Sequence, residues 1–283
     1  MTEYDIGWLA GIIDGDGCIS IDENKVVRII IIMTDEKTIY HIKDLTKIGS
    51  ITKINCSISH PKWKDQYKWI IYNNDTINIL NKIKDHLIIK QLHAELALEY
   101  LTKKKLNIKH EDLKVIYEKI KELNARKLNK KYHINLDNYE LTKYKIGWLA
   151  GIIDSEGSID IIRKKKKNND NTYSYGTRIV INMTCEIIIN IIQKLTNIGV
   201  ISKIGRTRPN WNVLHVWRIS GNQISNFLKL IFDYLITKRQ QAELILEFLN
   251  LWNIVKSNNR SLDKDIELEV LHDKMRILNK RGR

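Results

Sequence analysis

The sequence predicts an α+β fold made of two copies of one αββαββα(α) unit. Three observations carry this. Residues 4–19 read YDIGWLAGIIDGDGCI and residues 144–159 read YKIGWLAGIIDSEGSI, with 12 of 16 positions identical. Later segments return in the same order: RIIIIMTDE (28–36) as RIVINMTCE (178–186), LTKIGSITKI (45–54) as LTNIGVISKI (195–204), and KQLHAELALEYL (90–101) as KRQQAELILEFL (238–249). Within a copy, stretches with helical spacing alternate with short β-branched runs.

The elements follow in order. A helix is predicted over 6–14, with Gly7 and Gly11 four apart on one face. CISID (18–22) alternates apolar and polar, the period of a strand. VVRIIIIM (26–33) is a second strand, and DENK (22–25) is the turn between them. Residues 36–48 carry Ile39, Ile42 and Leu45 at helical spacing and should close at Gly49. Strands over 50–58 and 67–73 come next, then helices over 77–87, 92–101 and 111–123. The first half is 1–130, a polar stretch rich in Lys and Asn over 131–143 is the linker, and the second half is 144–283. A basic, polar tract inserted over 163–176 lengthens the second copy.

Composition sets the classes of partner. Lys and Arg number 47 against 33 Asp and Glu, a net charge of +14, which attracts phosphate backbones or anionic surfaces. The competing source of that excess is a codon bias toward Lys, Asn and Ile; the chain has 50 isoleucines. With 43% hydrophobic and 28% charged residues the chain is not a disordered one. No apolar run approaches the ~18–20 residues of a membrane span. The acidic start, Met-Thr-Glu-Tyr-Asp, is unlike a secretory or transit peptide. Cys18, Cys56 and Cys185 form no CxxC pair. That argues against a disulfide framework or zinc site, and for a reducing intracellular compartment: a prokaryotic cytoplasm or an organelle. His60, His93, His110 and His215 fit no metal-ligand spacing.

The stretches LAGIIDGDG (9–17) and LAGIIDSEG (149–157) resemble the motif of the LAGLIDADG homing endonucleases, in their two-motif, single-chain form. The resemblance covers nearly the whole chain, because the flanking elements repeat in the family's order. It implies two pseudo-symmetric halves packed through two motif helices, each with a saddle-shaped antiparallel sheet that binds DNA. Implied too is a monomer that cuts both strands of a long, imperfectly palindromic site, leaving short 3′ overhangs. Some members instead, or also, act as RNA maturases that help their host intron splice. Intact acids in both motifs favour cleavage.

Residue chemistry agrees. Gly7, Ala10 and Gly11 let two helix backbones approach closely, and duplication supplies the second helix. Asp16 and Glu156 then end the two helices, and carboxylates brought together need a cation. Hard oxygens favour Mg²⁺, with Mn²⁺ able to substitute. The resemblance places the metal-binding acid at Asp16 and Glu156, gives Asp14 and Asp154 a structural role, and lets the carbonyls of Gly15 and Ser155 face the metals. It implies active-site lysines at Lys90 and Lys238. It puts water-positioning residues at Asp35 and Cys185, where the cysteine departs from the usual polar residue.

In the family the sheets lie in the major groove, whose base edges carry a distinguishable code. Strand alternation puts Ile19, Ile21, Trp69, Ile71, Trp217 and Ile219 inward. The outward, DNA-contacting set is then Ser20, Asp22, Arg28, Ser50, Thr52, Lys68 and Tyr72 in the first copy. In the second it is Asp160, Arg178, Asn182, Ser202, Arg206, Arg208, Arg218 and Ser220. The charge is weighted to the second half: 25 basic and 15 acidic residues in 131–283, against 22 and 18 in 1–130. Arg163, Lys164, Lys165, Lys166 and Lys167 supply much of that difference and should ride on phosphates.

Overall fold

The computed structural model describes residues 1–125, 140–165, 173–205, 212–257 and 262–280. The chain divides into two compact units, 1–155 and 156–282. The first holds α1 (Glu3–Asp16), β1 (Gly17–Ile21), β2 (Val27–Met33), α2 (Glu36–Thr46), β3 (Ser50–Ile54), α3 (Cys56–Ser59), β4 (Gln66–Tyr72), α4 (Asn73–Ile83), α5 (Gln91–Lys105) and α6 (His110–Asn124). It also takes in α7 (Lys143–Glu156) as far as Ser155. The second holds β5 (Gly157–Lys165), β6 (Tyr173–Met183), α8 (Glu186–Thr196), β7 (Val200–Ile204), β8 (Leu214–Ser220), α9 (Asn222–Ile231), α10 (Arg239–Ser257) and α11 (Leu262–Leu278).

Each unit is built on a four-stranded antiparallel sheet, in the order β1-β2-β4-β3 and β5-β6-β8-β7. The registers match: Ile29 pairs with Ile71 and Ile179 with Ile219. One face of each sheet is the core. Ile19, Ile29, Ile31 and Trp69 are fully buried in the first unit, as are Ile159, Ile179, Ile181 and Trp217 in the second. Each such side chain contributes roughly 1.5–3 kcal/mol by leaving water. The buried indoles also find acceptors: Trp69 Nε1 donates to the Ile48 carbonyl and Trp217 Nε1 to that of Ile198, each at 3.0 Å.

Some element bounds differ from those expected; the helix expected over 77–87, for one, is α4 at Asn73–Ile83. The helix over 36–48 ends at Thr46, because Lys47 itself takes the left-handed cap (φ 60°), and Asn197 does the same for α8. Gly49 also has positive φ, two residues later, where a side chain would meet Trp69 and Ile71. The strand expected over 50–58 stops at Ile54. Asn55 starts the short α3, whose Ser57 amide and hydroxyl both donate to Asp65 Oδ1. The last helix of each unit returns to the sheet: Asn124 Nδ2 donates to the Ile19 carbonyl at 2.9 Å, and Asn279 Nδ2 to the Ile159 carbonyl at 2.8 Å.

Candidate active site and nucleic-acid face

The site begins with four glycines. On α1, a Cβ at Gly7 would overlap the Tyr144 carbonyl and one at Gly11 the Trp148 carbonyl. On α7, Gly147 stands in the same relation to Tyr4 and Gly151 to Trp8. The two backbones therefore touch, as only small residues allow. Above the glycines the contacts are reciprocal. Trp8 Nε1 donates to Asp154 Oδ2, and Trp148 Nε1 donates to Asp14 Oδ2, both at 2.9 Å.

Asp14 is 1% exposed and its acceptors are filled. Besides the indole it takes the backbone N–H groups of Ile88 (2.7 Å), Ile89 (3.2 Å) and Lys90 (3.0 Å). Burial pushes its carboxyl up from the usual carboxylate value. The Ile88 amide, the Trp148 indole and Lys90 pull it back down. Asp14 thus ties the start of α5 to the end of α1, the structural role expected of it. Lys90 completes the junction. Its ammonium donates to the carbonyls of Ile13 (2.6 Å), Asp14 (2.8 Å) and Gly15 (3.4 Å). A cation on the last carbonyls of a helix satisfies acceptors that have no partner within the helix, and it meets the negative end of the helix dipole.

Asp16 lies two residues beyond this cradle, at the exposed end of α1. Glu156 ends α7 and opens the second unit. Among the described residues, no group of three or more His, Cys, Asp or Glu gathers into a metal cage. A carboxylate at a helix end is a hard-oxygen ligand of the kind that Mg²⁺ accepts. That ion keeps several waters and takes its other ligands from phosphate rather than from an all-protein cage. Gly15 offers a carbonyl already shared with Lys90, while the Ser155 hydroxyl bonds back to the Gly151 carbonyl at 2.9 Å. Lys238 immediately precedes α10, as Lys90 precedes α5, with its carbonyl accepting from Ala242.

Asp35 has a structural part of its own. It is the N-cap of α2: one carboxylate oxygen accepts from both the Thr38 amide (2.8 Å) and the Thr38 hydroxyl (2.6 Å). Cys185 holds the same place before α8 and makes no side-chain cap bond. Cys185→Asp should therefore stabilise the protein by about 1 kcal/mol, the usual worth of an N-cap. Urea denaturation checks this; an unchanged midpoint would mean that α8 gains nothing from a cap.

The outer faces of the sheets carry most of the expected set. Ser50, Thr52 and Tyr72 are exposed and Ser20 and Lys68 half-buried in the first unit; Asn182, Ser202, Arg218 and Ser220 are exposed in the second. Asp22, Arg28, Asp160 and Arg178 are outward too, but they pair with each other. Arg28 Nη1 lies 3.7 Å from Asp22, and its Nε donates to Ser20. Arg178 grips Asp160 through Nη2 and Nε, both at 3.1 Å, and Asn279 holds the other Asp160 oxygen at 2.9 Å. Opposite charges facing each other across one strand pair satisfy each other first. Arg163 is likewise drawn to Glu269 and lies over the Tyr173 ring. Lys164 and Lys165 are exposed at the end of β5. Lys166, Lys167, Arg206 and Arg208 lie outside the described residues. Ile30, Ile32 and Ile70 share the outer face of the first sheet and fall outside the expected set. Their parity with Arg28 and Tyr72 is the signal that marks them.

Residues 149–251 match the LAGLIDADG endonuclease family, and residues 3–84 match a LAGLIDADG-like domain. The chain is 26% identical over 278 residues to the "probable intron-encoded endonuclease Cox1-I1b" of Schizosaccharomyces pombe, with 93% of this chain and 65% of that protein's length covered. It is 26% identical over 140 residues to the DNA endonuclease I-CvuI of Chlorella vulgaris, covering 47% of this chain and 79% of that one. Among solved structures, the I-SmaMI LAGLIDADG homing endonuclease bound to cleaved DNA superposes with a TM-score of 0.71 at 14% identity, covering 99% of this chain and 98% of that one. The I-AabMI meganuclease bound to uncleaved DNA gives 0.69 at 18%, covering 96% and 98%. At such identities the likeness is one of fold. No helix among the described residues is long and apolar enough to cross a membrane.

Proposed function

We propose that this chain, matched by LAGLIDADG family models in both halves, is a homing-type endonuclease of that family, cutting both strands of a specific DNA duplex with Mg²⁺. The observation that supports this most is the division of labour at the end of α1. Asp14 is consumed by four donors, while Asp16, two residues on, is exposed. Asp154 is met by an indole in the same way, with Glu156 two residues beyond it. Acids at both motif ends, beyond the residues that hold the helices, are in our reading the ones that do the chemistry. The halves 1–130 and 144–283, joined through 131–143, each serve one half of the site.

Asp16 and Glu156 would hold divalent cations through their carboxylate oxygens. When bound, Mg²⁺ polarises the phosphate and lowers the pKa of a water. The chain's own residues do the placing. Lys90 fixes the Gly15 carbonyl, and with it the direction of the chain entering Asp16. Lys90 and Lys238 put positive charge near the phosphate that becomes more negative as water attacks. The outer sheet faces hold the duplex in register, so the scissile bonds meet the two acids.

The test is a circular DNA carrying the sequence formed by joining the two flanks of the coding frame. With Mg²⁺ it should be cut once, through both strands, leaving short 3′ overhangs. Light scattering on the uncut complex with Ca²⁺ should give one protein per duplex. Intact circles, or two proteins per duplex, would overturn the reading.

The basic run at the end of β5 should act on affinity alone. Changing Lys164, Lys165, Lys166 and Lys167 to Ser should weaken binding to all duplexes alike, and lower the salt slope by about 0.9 for each phosphate no longer neutralised. A changed sequence preference at constant slope, read by titration at several salt concentrations, would mean that these lysines touch bases.

A further inference from the structure

We propose that the DNA site is lopsided. The β5–β6 hairpin of the second unit holds, by their phosphates, about four base pairs lying farther from the cut than any that the β1–β2 hairpin of the first unit reaches. This rests on the endonuclease reading above and specifies how far its substrate extends on either side of the cut. It follows from a difference in strand length between otherwise matching sheets.

Both hairpins start at an acid and run away from it: Asp16 precedes β1 and Glu156 precedes β5. The turn of each hairpin lies at the far end of its sheet. In the first, β4 begins beside Met33, at the end where β1 starts; in the second, Met183 with His215 marks the same end. The first hairpin closes early. Its strands pair over five positions, the last being Ile21 with Val27. A turn follows at once, with the Asp22 amide donating to the Val26 carbonyl and the Lys25 amide to the Asp22 carbonyl. The second hairpin has nine pairs, and Ile161 with Thr177 matches the last pair of the first. Beyond it come Ile162 with Gly176, Arg163 with Tyr175, Lys164 with Ser174 and Lys165 with Tyr173. At ~3.3 Å per residue these add ~13 Å of strand, the length of about four steps of a duplex at ~3.4 Å each.

The extension is fastened from behind. Arg163 pairs with Glu269 of α11. Tyr175 packs toward Phe248 of α10 and His272 of α11, with ring centroids 6.1 and 6.2 Å away. The supporting helix is longer too, since α10 has 19 residues where α5 has 15. With Arg163 and Tyr175 inward, alternation turns Ile162, Lys164, Ser174 and Gly176 outward. Lys164 and Gly176 are exposed, and a Cβ on Gly176 would have nothing within 4 Å. A glycine inside a strand, open on its outer side, lets another backbone come close. Charge decides which backbone that is. Residues 161–165 and 173–177 include Arg163, Lys164 and Lys165 and no acid. The first hairpin instead turns through Asp22 and the exposed Glu23. Its Lys25 ammonium lies over the Tyr117 ring, 3.5 Å from the centroid. The end of the second hairpin therefore attracts phosphate where the end of the first does not. Phosphate contacts carry no base information, so the outermost pairs can have any sequence.

The probe is a duplex selected by this protein from a random library and bound with Ca²⁺. A hydroxyl-radical footprint should reach about four base pairs farther from the cut on one flank than on the other. Trimming those pairs should weaken binding on the order of tenfold, while randomising them should change it by less than about twofold. Gly176→Glu puts a carboxylate on the open outer side and should weaken binding of the full duplex about tenfold, by repulsion from phosphate. On the trimmed duplex the variant and the wild type should bind alike. Lys164→Glu, on the same face, should repeat the pattern. Footprints of equal reach, with the duplex still cut when Mg²⁺ is supplied, overturn this inference and leave the nuclease reading standing. So do losses in both variants that persist undiminished on the trimmed duplex. A duplex bound but never cut removes the nuclease reading, while the trimming comparison still decides this one. Selection that recovers no duplex removes both.

Discussion

Asp16→Asn and Glu156→Gln should each lower the cleavage rate by a factor on the order of 10² or more, which is what losing a charge-stabilising group at a reacting centre costs. DNA affinity should stay within about twofold, since neither acid is among the outward sheet residues proposed to hold the duplex, and neutralising one acid removes no cation that could pair with a phosphate. Neither acid belongs to the buried cradle; that task falls to Asp14, which is 1% exposed. Cleavage is followed on supercoiled target with Mg²⁺, and binding by gel shift with Ca²⁺. Wild-type rates in both variants would sink the assignment. Asp14→Asn makes the contrast: it removes charge from a site built of four donors, so its effect should appear in stability first.

The second large effect concerns packing. Gly11→Val should cost at least about 3 kcal/mol, at the upper end of overpacking penalties. A Cβ there would collide with the Trp148 carbonyl and approach the Gly151 Cα at 3.0 Å, and backbone cannot rotate out of the way as a side chain can. Gly176→Ala is the control, since a Cβ there would have nothing within 4 Å; its change should stay within about 0.5 kcal/mol. Equal midpoints for the two variants in urea would mean that the helices can separate at no cost.

Much of this is legible in the sequence, for definite reasons. The repeat marks out two sheets of the same strand order, and alternation marks both faces of each sheet: Trp69 and Ile71 are buried while Tyr72 is exposed, as their parity predicts. The small residues at Gly7 and Gly11 point to a close helix pair. The Asp14 cradle cannot be read, because its backbone donors lie 74 to 76 residues away and backbone amides leave no trace in sequence. The pairing of Arg28 with Asp22 depends on strand register, which one residue of slip would reverse. The short α3 has too few residues for periodicity to show. Lys47 takes a left-handed conformation that is normally expected of glycine, so the helix ends earlier than its sequence suggests. The capping role of Asp35 is available in principle, since an Asp just before a helix is a cap signal. The outward place of Ile32 is hidden inside an unbroken apolar run.

The crossed indoles bear on how such a protein can be rebuilt. Each copy of the repeat gives its tryptophan to the other copy's buried aspartate: Trp8 to Asp154 and Trp148 to Asp14. Removing either donor takes one hydrogen bond from a buried carboxylate, and a buried acceptor left short of a donor costs stability. Neither copy is therefore a self-sufficient module. A chimera that grafts one half onto a foreign half inherits the demand for the opposite tryptophan, together with the glycines that let it reach. Breeding new specificities by exchanging halves is open only to donors that carry both, and the compatible set can be sorted by reading four positions before any protein is made.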